Sequence, residues 1–568
     1  MGGALFPEEY AHSSSSLPPL VRLEYDDEAN IRPNVFKHRT PKQVMFLSIV
    51  GGRSHVKPLL EIGQILVDRV SPNANKIIAR EHPKIELITI DPIWDETTTI
   101  AQNLFLDEYV NFRHWRALFR KTENHYPYAF PILLNATIER QADLLICEME
   151  WMAEICADVA WVLGLPIVLE HYELGAAVNA PYKSDPLYTT NHISGCHVSL
   201  ENLSFWDRFK CVAILHPLLK LVQYESMFYF NSHRSVHGIE WVWSPMERIK
   251  DSLYLANTFF GFEVPEKLSP LVQEIGPIYS EYYEPLTKEL KEFLDSHPRT
   301  MYIAFGDRFW TTPKNYEKIM QTILEAMNTK LLDGVIWSTS VSYLEGMPGN
   351  FTLNDGTVID TAQIVANKHP HILLQNWVPQ FATLNHTNIK LFLTHGGFQS
   401  IQESLYHAIP MLVLPLYIDQ RGNAERLMLQ GCALAVSKLS LSVNDMLSKM
   451  RILMTDDQIK SNLLRMQTLA RMNGNRKYRA ADLIEYVMDH AKLGPNSGRI
   501  PTVQEWLTPD RRMGWIKGNN VDIFVVVILV ILVDLFGSIW LARRITQFVL
   551  NYRIGKGKDV KKTNGNTK

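Results

Sequence analysis

The stretch IKLFLTHGGFQSIQESLYHAIPMLVLPLYIDQ, Ile389 to Gln420, decides the fold. KLFLTH is short and almost fully apolar, as a buried parallel strand is. Gly396-Gly397 break it, and FQSIQESLYH follows helical spacing, with Ile401 and Leu405 four apart on one face. MLVLPLY is the next strand. The result is a βαβ unit with glycines at the strand-to-helix turn. Free backbone N–H groups at such a helix N-terminus form an anion site, and glycine lets the anion come close. A packed core has no use for His395, Gln399, Ser400, Glu403, Asp419 and Gln420 in this unit.

Working outward, the same alternation recurs. Upstream, TMYIAFG, DGVIWST and HILLQNW read as strands of the same set. Nearer the N-terminus VMFLSIV, IELITI, ADLLICE and LPIVLE form another set, with WMAEICADVAWVLG as a helix. After VMFLSIV comes the turn Gly51-Gly52, then a helix with Ser54 as N-cap and Pro58 in its first turn. Two sets of βα units predict an α/β protein of two doubly wound, Rossmann-like domains. Residues 180–245 break the pattern and read as an aromatic, helical insertion. The expected layout is a mobile extension over 1–40, a first domain over 41–275, a linker over 276–300 and a second domain over 301–510.

The chain has 568 residues, enough for two or three domains. A formal net charge of -3 gives no basic field for nucleic acid. The five cysteines are Cys147, Cys156, Cys196, Cys211 and Cys432. Their odd number and the lack of a CxxC pair argue against a zinc site or a disulfide scaffold. Sequons stand at Asn135, Asn202, Asn350 and Asn385.

The C-terminus differs in kind. IFVVVILVILVDLFGSIWLA, Ile523 to Ala542, carries one charge, Asp534. That Asp costs ~3 kcal/mol at a helix centre, while each Ile, Leu, Val or Phe returns ~0.3–0.6, so the sum favours insertion. A transmembrane helix is expected over 521–542, matching a bilayer core. The tail from Arg543 to Lys568 has eight Lys/Arg and one Asp, which favours a cytoplasmic C-terminus. No charged n-region with an apolar core opens the sequence, so no signal peptide is expected. Two topologies stay open: a lumenal catalytic part with a misassigned start, or a tail-anchored enzyme facing the cytosol.

The polar residues of the 377–420 segment sort by chemistry. Trp377 and Gln380 lie in NWVPQ, a Pro-stiffened turn after a strand, where an indole can stack on a base. His395 and Ser400 can add side-chain bonds to a phosphate. Glu403, three residues beyond Ser400, shares its helix face and suits a ribose diol, each charge-assisted bond giving about 1.5–3 kcal/mol. Asp419 and Gln420 end the next strand, where ligands of open α/β sheets bind, and can hold sugar hydroxyls. Each residue alone has an ordinary structural role; the ordered combination is what points to a nucleotide sugar.

That combination, WVPQ…LFLTHGGFQSIQES…IPMLVLPLYIDQRGNAERL, resembles the donor-binding signature of the UDP-glycosyltransferase family. GGRSHVKPLLEIG, ADLLICE, LSFWDRFK, LANTFFGFEVP and IGPIY extend the resemblance over residues 43 to 545. It implies the GT-B fold, with an acceptor-binding first domain, a UDP-sugar-binding second domain and a membrane anchor. It implies that Trp377 stacks on uracil with Gln380 nearby. His395, Gly397 and Ser400 would lie at the diphosphate, Glu403 at the ribose, and Asp419 and Gln420 at the sugar, with Gly396 and Gln399 also in the donor site. Gly306 and Asp307 would stand on the phosphate side.

The resemblance places His55 as general base for the acceptor hydroxyl and Glu148 as its acidic partner; Asp158 is the poorer candidate, on what reads as an exposed helix face. It implies inverting transfer of a hexose, glucose or glucuronic acid, to a small lipophilic acceptor such as a sterol or phenol. No cofactor and no metal are implied. Three positions depart from the family pattern: Glu148 for Asp, Gln399 for a common Asn, and Asp307 for Ser or Thr. Glu148 and Asp307 motivate an alternative reading, a catalytically weak nucleotide-sugar-binding protein that keeps the fold.

Overall fold

Short apolar runs become the strands of two parallel sheets in the computed structural model. It describes residues 21–22, 43–48, 53–70, 77–78, 80–81, 112–149, 153–172, 174, 196–199, 203–244, 247–265, 268–306, 311–339, 346–417, 419–493, 499–507, 513–518 and 520–563. The expected strand IELITI, the turn Gly51-Gly52 and nearly all of the 1–40 extension lie outside the described residues.

The first lobe holds β1 (Val44–Leu47), α1 (Arg53–Val70), α2 (Phe112–Glu139), β2 (Leu144–Glu148), α3 (Ala153–Leu163) and β3 (Ile167–His171). The expected insertion follows as α4 (Phe205–Phe209), a π-helical turn (Lys210–Leu215) and α5 (His216–Val236). Then come β4 (Leu253–Ala256) and β5 (Val272–Glu274). The strands run parallel in the order β1-β2-β3-β4-β5. Leu145, Ile155, Val159, Leu169, Phe130 and Phe230 bury together against them. Pro58 sits at the sixth residue of α1, because the helix starts at Arg53 rather than after a Ser54 cap.

The second lobe holds α6 (Lys288–Ser296), β6 (Thr300–Ala304), α7 (Pro313–Asn328), β7 (Gly334–Ser338), β8 (Ile372–Gln375), α8 (Gln380–Leu384) and β9 (Ile389–Thr394). It continues with α9 (Phe398–His407), β10 (Met411–Val413), α10 (Gln420–Leu429), β11 (Ala433–Ala435), α11 (Val443–Thr455), α12 (Asp457–Asn473) and α13 (Arg476–His490). Caps set several starts: Thr312 accepts from the Asn315 N–H with Pro313 in the first turn, and Asp456 accepts from Gln458 and Ile459. The sheet order is β8-β7-β6-β9-β10-β11, all parallel. Counted within the lobe this is 3-2-1-4-5-6, so the order reverses between β6 and β9. A crevice opens at the carboxyl ends of strands at such a point. Ile401 and Leu405, the expected buried pair on α9, are both fully buried.

The lobes are joined twice. Chain leaves the first lobe after β5 and returns through α13, which packs on α1. The Lys477 ammonium, fully buried, donates to the Tyr279 carbonyl at 3.0 Å and lies 3.7 Å from Glu61 on α1. Ile500 finishes in the first lobe's core, whereas Phe259 and Phe262, just after β4, pack into the second lobe's core.

Two expectations are corrected. Asp158 is not on an exposed face: it is completely buried, accepts from the Tyr126 hydroxyl (2.9 Å) and Arg234 Nε (2.7 Å), and pairs with Arg248. Glu154 also pairs with Arg234. The α5 helix, which supplies Arg234, covers this face, and nothing in α3's own periodicity announces that cover. The cysteines do pair: Cys147 with Cys156 and Cys196 with Cys211, their Cα atoms 6.5 and 5.8 Å apart. Those separations suit bridges, and neither an odd count nor a missing CxxC bears on spatial neighbours.

A separate unit carries α14 (Val521–Thr563). Its apolar part from Val521 to Arg553 is long enough to cross a membrane, and none of its most apolar window is buried. The helix runs on through the start of the basic tail.

Candidate active site

The sequence places glycine where the second sheet's order reverses. Gly306, after β6, and Gly396, after β9, have φ of +78° and +88°, conformations that side-chain-bearing residues rarely adopt. A β-carbon on Gly306 would lie 3.1 Å from the His395 ring, and one on Gly396 would lie 2.8 Å from Val413 Cγ1. Gly397 has an ordinary φ of -63° and is the N-cap of α9 with no side-chain cap bond. The two turns and the N-terminus of α9 therefore frame a notch floored by backbone. Thr394 Oγ1 accepts from the Gly396 N–H at 3.2 Å, and Asn423 Nδ2 donates to the Gly396 carbonyl at 3.0 Å, so the turn is held from both sides.

His395 is 5% exposed, and burial pushes its imidazole down to about 4, with a hydrogen bond at the Ala304 backbone opposing the shift. It is therefore neutral at physiological pH. In that state it can bond a phosphate oxygen as a neutral donor rather than as a cation.

One face of α9 joins the α8 turn. Gln380 Nε2 donates to Glu403 Oε2 at 2.9 Å and to Ser400 Oγ at 3.2 Å. Gln399 Nε2 donates to Glu403 Oε1 at 3.2 Å. Glu403 is nearly buried, and the two amides fix its carboxylate while leaving lone pairs for further donors. Beneath it lies Tyr302, whose hydroxyl faces Gln380 Oε1 at 3.5 Å and whose pKa is raised by burial and then by Glu403. Trp377 is 41% exposed, and its Nε1–H donates to Glu284 at 2.9 Å.

At the head of α10, Asp419 accepts from Asn423 Nδ2 at 2.8 Å. Gln420 is 1% exposed and accepts at Oε1 from the Leu416 and Tyr417 N–H groups, both at 2.8 Å. Its carbonyl oxygen is thus committed to shaping the loop.

The structure brings Gly306, His395, Gly396, Gly397, Gln399, Ser400, Glu403 and Gln380 to one region. Asp307 lies outside the described residues. His55 falls in the first turn of α1, and its side chain lies outside them too. Glu148 ends β2, is 4% exposed and accepts from Ser48 Oγ at 2.6 Å. Its register partner on β3 is Glu170, followed by His171, both buried. Tyr172 stacks on His171 and meets Phe398, the first residue of α9, at 5.8 Å, so the first lobe's strand ends reach the notch. Sequence reading missed Tyr302, Glu284, Asn423, Glu170 and His171; only Asn423, one turn after Asp419, carried any spacing signal.

Residues 140–500 match the family model described as "UDP-glucoronosyl and UDP-glucosyl transferase". A UDP-glycosyltransferase of Talaromyces amestolkiae is 30% identical over 522 residues, 88% of this chain and 97% of that protein.

The chain belongs to the UDP-glycosyltransferase family.

UDP-glycosyltransferase stmC of Aspergillus ustus is 30% identical, over 71% of this chain and 76% of its own. Human UDP-glucuronosyltransferase 2B17 is 26% identical over 48% and 46%. Among solved structures, the glycotransferase of kitacinnamycin superposes with a TM-score of 0.52 at 18% identity, over 79% of this chain and 99% of its own. A UDP-glucosyltransferase from Polygonum tinctorium gives 0.51 at 17%, over 80% and 100%. These likenesses give this UDP-glycosyltransferase the GT-B fold, its lobes being the two sheets described. The enzyme transfers a sugar from a UDP-sugar to a small acceptor.

Proposed function

We propose that this UDP-glycosyltransferase moves a hexose, glucose or glucuronic acid, to the hydroxyl of a small lipophilic acceptor with inversion, His55 being the general base. The observation that carries the reading is the Gln380–Ser400–Glu403 array beside the glycine notch at the strand-order reversal. In this reading Trp377 stacks on uracil, Gln380 lies by the ribose, and Glu403 accepts from the ribose hydroxyls. His395, Gly306, Gly397 and Ser400 meet the diphosphate, Gly396 and Gln399 complete the donor site, and Asp419 and the Gln420 amide hold the sugar. A neutral imidazole at His55 takes the acceptor's proton as its oxygen attacks the anomeric carbon. The bond from that carbon to the diphosphate oxygen breaks, and UDP leaves toward the notch and the α9 N-terminus, whose N–H groups stabilise its charge. Glu148 is the acid partner that orients the imidazolium.

The α14 helix supports a single-pass membrane protein of the endoplasmic reticulum with a cytoplasmic basic tail. The two cysteine pairs and the exposed Asn350 and Asn385 of sequons favour a lumenal catalytic part. Purified full-length protein tests the chemistry. UDP release is measured with UDP-glucose and UDP-glucuronic acid against phenols and sterols, and product anomer by NMR. Release lost in His55→Ala, with UDP affinity kept, is the expected result. Retained turnover in that variant, or a retained anomer, would overturn it.

A further inference from the structure

A loop of the first lobe is pinned to the helix that opens with Asp419 and Gln420. The Val198 N–H, buried, donates to Glu425 Oε2 at 3.0 Å across 227 positions of sequence. His197 Nδ1 lies 3.1 Å from Glu425 Oε1, and Arg421 Nε donates to that same oxygen at 3.3 Å. Behind the loop, Cys196 is tied to Cys211 in the π-helical turn of the insertion. The next residue of α10 repeats the cross-lobe contact with opposite sign: Arg426 Nε pairs with Glu263 at 2.7 Å, both side chains nearly buried. Helix α10 is thus held to the first lobe by an acceptor and a donor in succession. Its other end anchors the turn through Asn423 and Gly396.

We propose that Glu425 is a positioning residue for sugar transfer: it clamps the His197–Ser199 loop onto α10 and so fixes the first lobe against the helix that presents the sugar end of the donor. The inference rests on the donor placement given above. A carboxylate suits the task because one group collects a backbone N–H, an imidazole and a guanidinium, and so sets both distance and register. Two neighbouring residues of opposite charge also reject a slipped docking, in which like charges would meet. The disulfide ties the residue before His197 to the insertion, which lowers the entropic cost of forming the clamp. Loosening it leaves the donor notch intact but opens the space between lobes to water, which then competes with the acceptor for the anomeric carbon.

Full-length protein carrying Glu425→Gln, His197→Ala and both together tests this. His197 is about half exposed, so its replacement does not threaten folding. The expected result is unchanged UDP affinity, acceptor KM raised about tenfold, and a rise of similar size in UDP-sugar hydrolysis relative to transfer. The double variant falls short of the sum of the two singles, because His197 and Glu425 share one contact. Hydrogen exchange at the Val198 amide accelerates in Glu425→Ala, which removes the acceptor oxygen that glutamine keeps. Unchanged exchange, or single variants with wild-type partition between water and acceptor, would overturn the clamp. Failure of the wider reading looks different: it shows as turnover that survives His55→Ala.

Discussion

Gly397 and His395 cannot both keep their places if Gly397 acquires a β-carbon, which would run into the imidazole ring at Nε2. Gly397 has a φ open to any residue, so glycine is required there for room and not for backbone freedom. Gly397→Ala is expected to fold normally and to lower UDP affinity about tenfold or more, by displacing the ring from the notch. Titration calorimetry with UDP checks this. Wild-type affinity in the alanine variant would mean that the ring is not part of the diphosphate contact.

Glu403 is oriented by two amides and presents its remaining lone pairs beside Ser400. Charge-assisted bonds to a ribose diol contribute about 1.5–3 kcal/mol each. Wild-type enzyme should therefore bind UDP more tightly than 2′-deoxy-UDP, by about tenfold. Glu403→Gln should weaken UDP binding and erase most of that preference. A variant that loses affinity for both nucleotides equally would place Glu403 in a purely structural role.

His395 gives a pH signature. Burial lowers its imidazole to about 4, against an unfolded value near 6.5. Between those values the unfolded chain binds the extra proton, so stability falls as pH drops from 6.5 toward 4 and levels off below. The loss attributable to this group reaches about 3 kcal/mol. His407, lowered to about 3 by burial with Arg471 adding to the shift, acts in the same direction. Urea denaturation midpoints at pH 7, 5.5 and 4.5 should fall less steeply for His395→Asn than for wild type. Equal slopes would contradict the burial effect.

The fold was largely legible because four of the second lobe's six parallel strands are mostly apolar runs of four to six residues between turn residues, and glycine marks the reversal point. Three strands of the two parallel sheets escaped notice. Ala433–Ala435 is short and low in β-branched residues, and Leu253–Ala256, an interior strand, and Val272–Glu274, at the edge, lie in mixed sequence that only their neighbours order. The site was legible where contacts are local, as with Ser400 and Glu403 on one helix face. It was not legible where partners come from afar. Asp158 is buried by Arg234 and Arg248, respectively 76 and 90 residues away, and no periodicity in α3 reveals that. Glu425 carries no sequence signal for the same reason: the loop that meets it lies in the other lobe.

The two passages between lobes touch each other, since Lys477 on the returning helix binds the Tyr279 carbonyl of the outgoing segment. Two pins set side by side oppose both the sliding of one half past the other and the exchange of one half for another. The first lobe is also finished by residues from well beyond the second, with Ile500 sealed into its core. Severing the polypeptide between the halves would therefore not release two self-sufficient modules; the amino-terminal piece would lack part of its own hydrophobic wall.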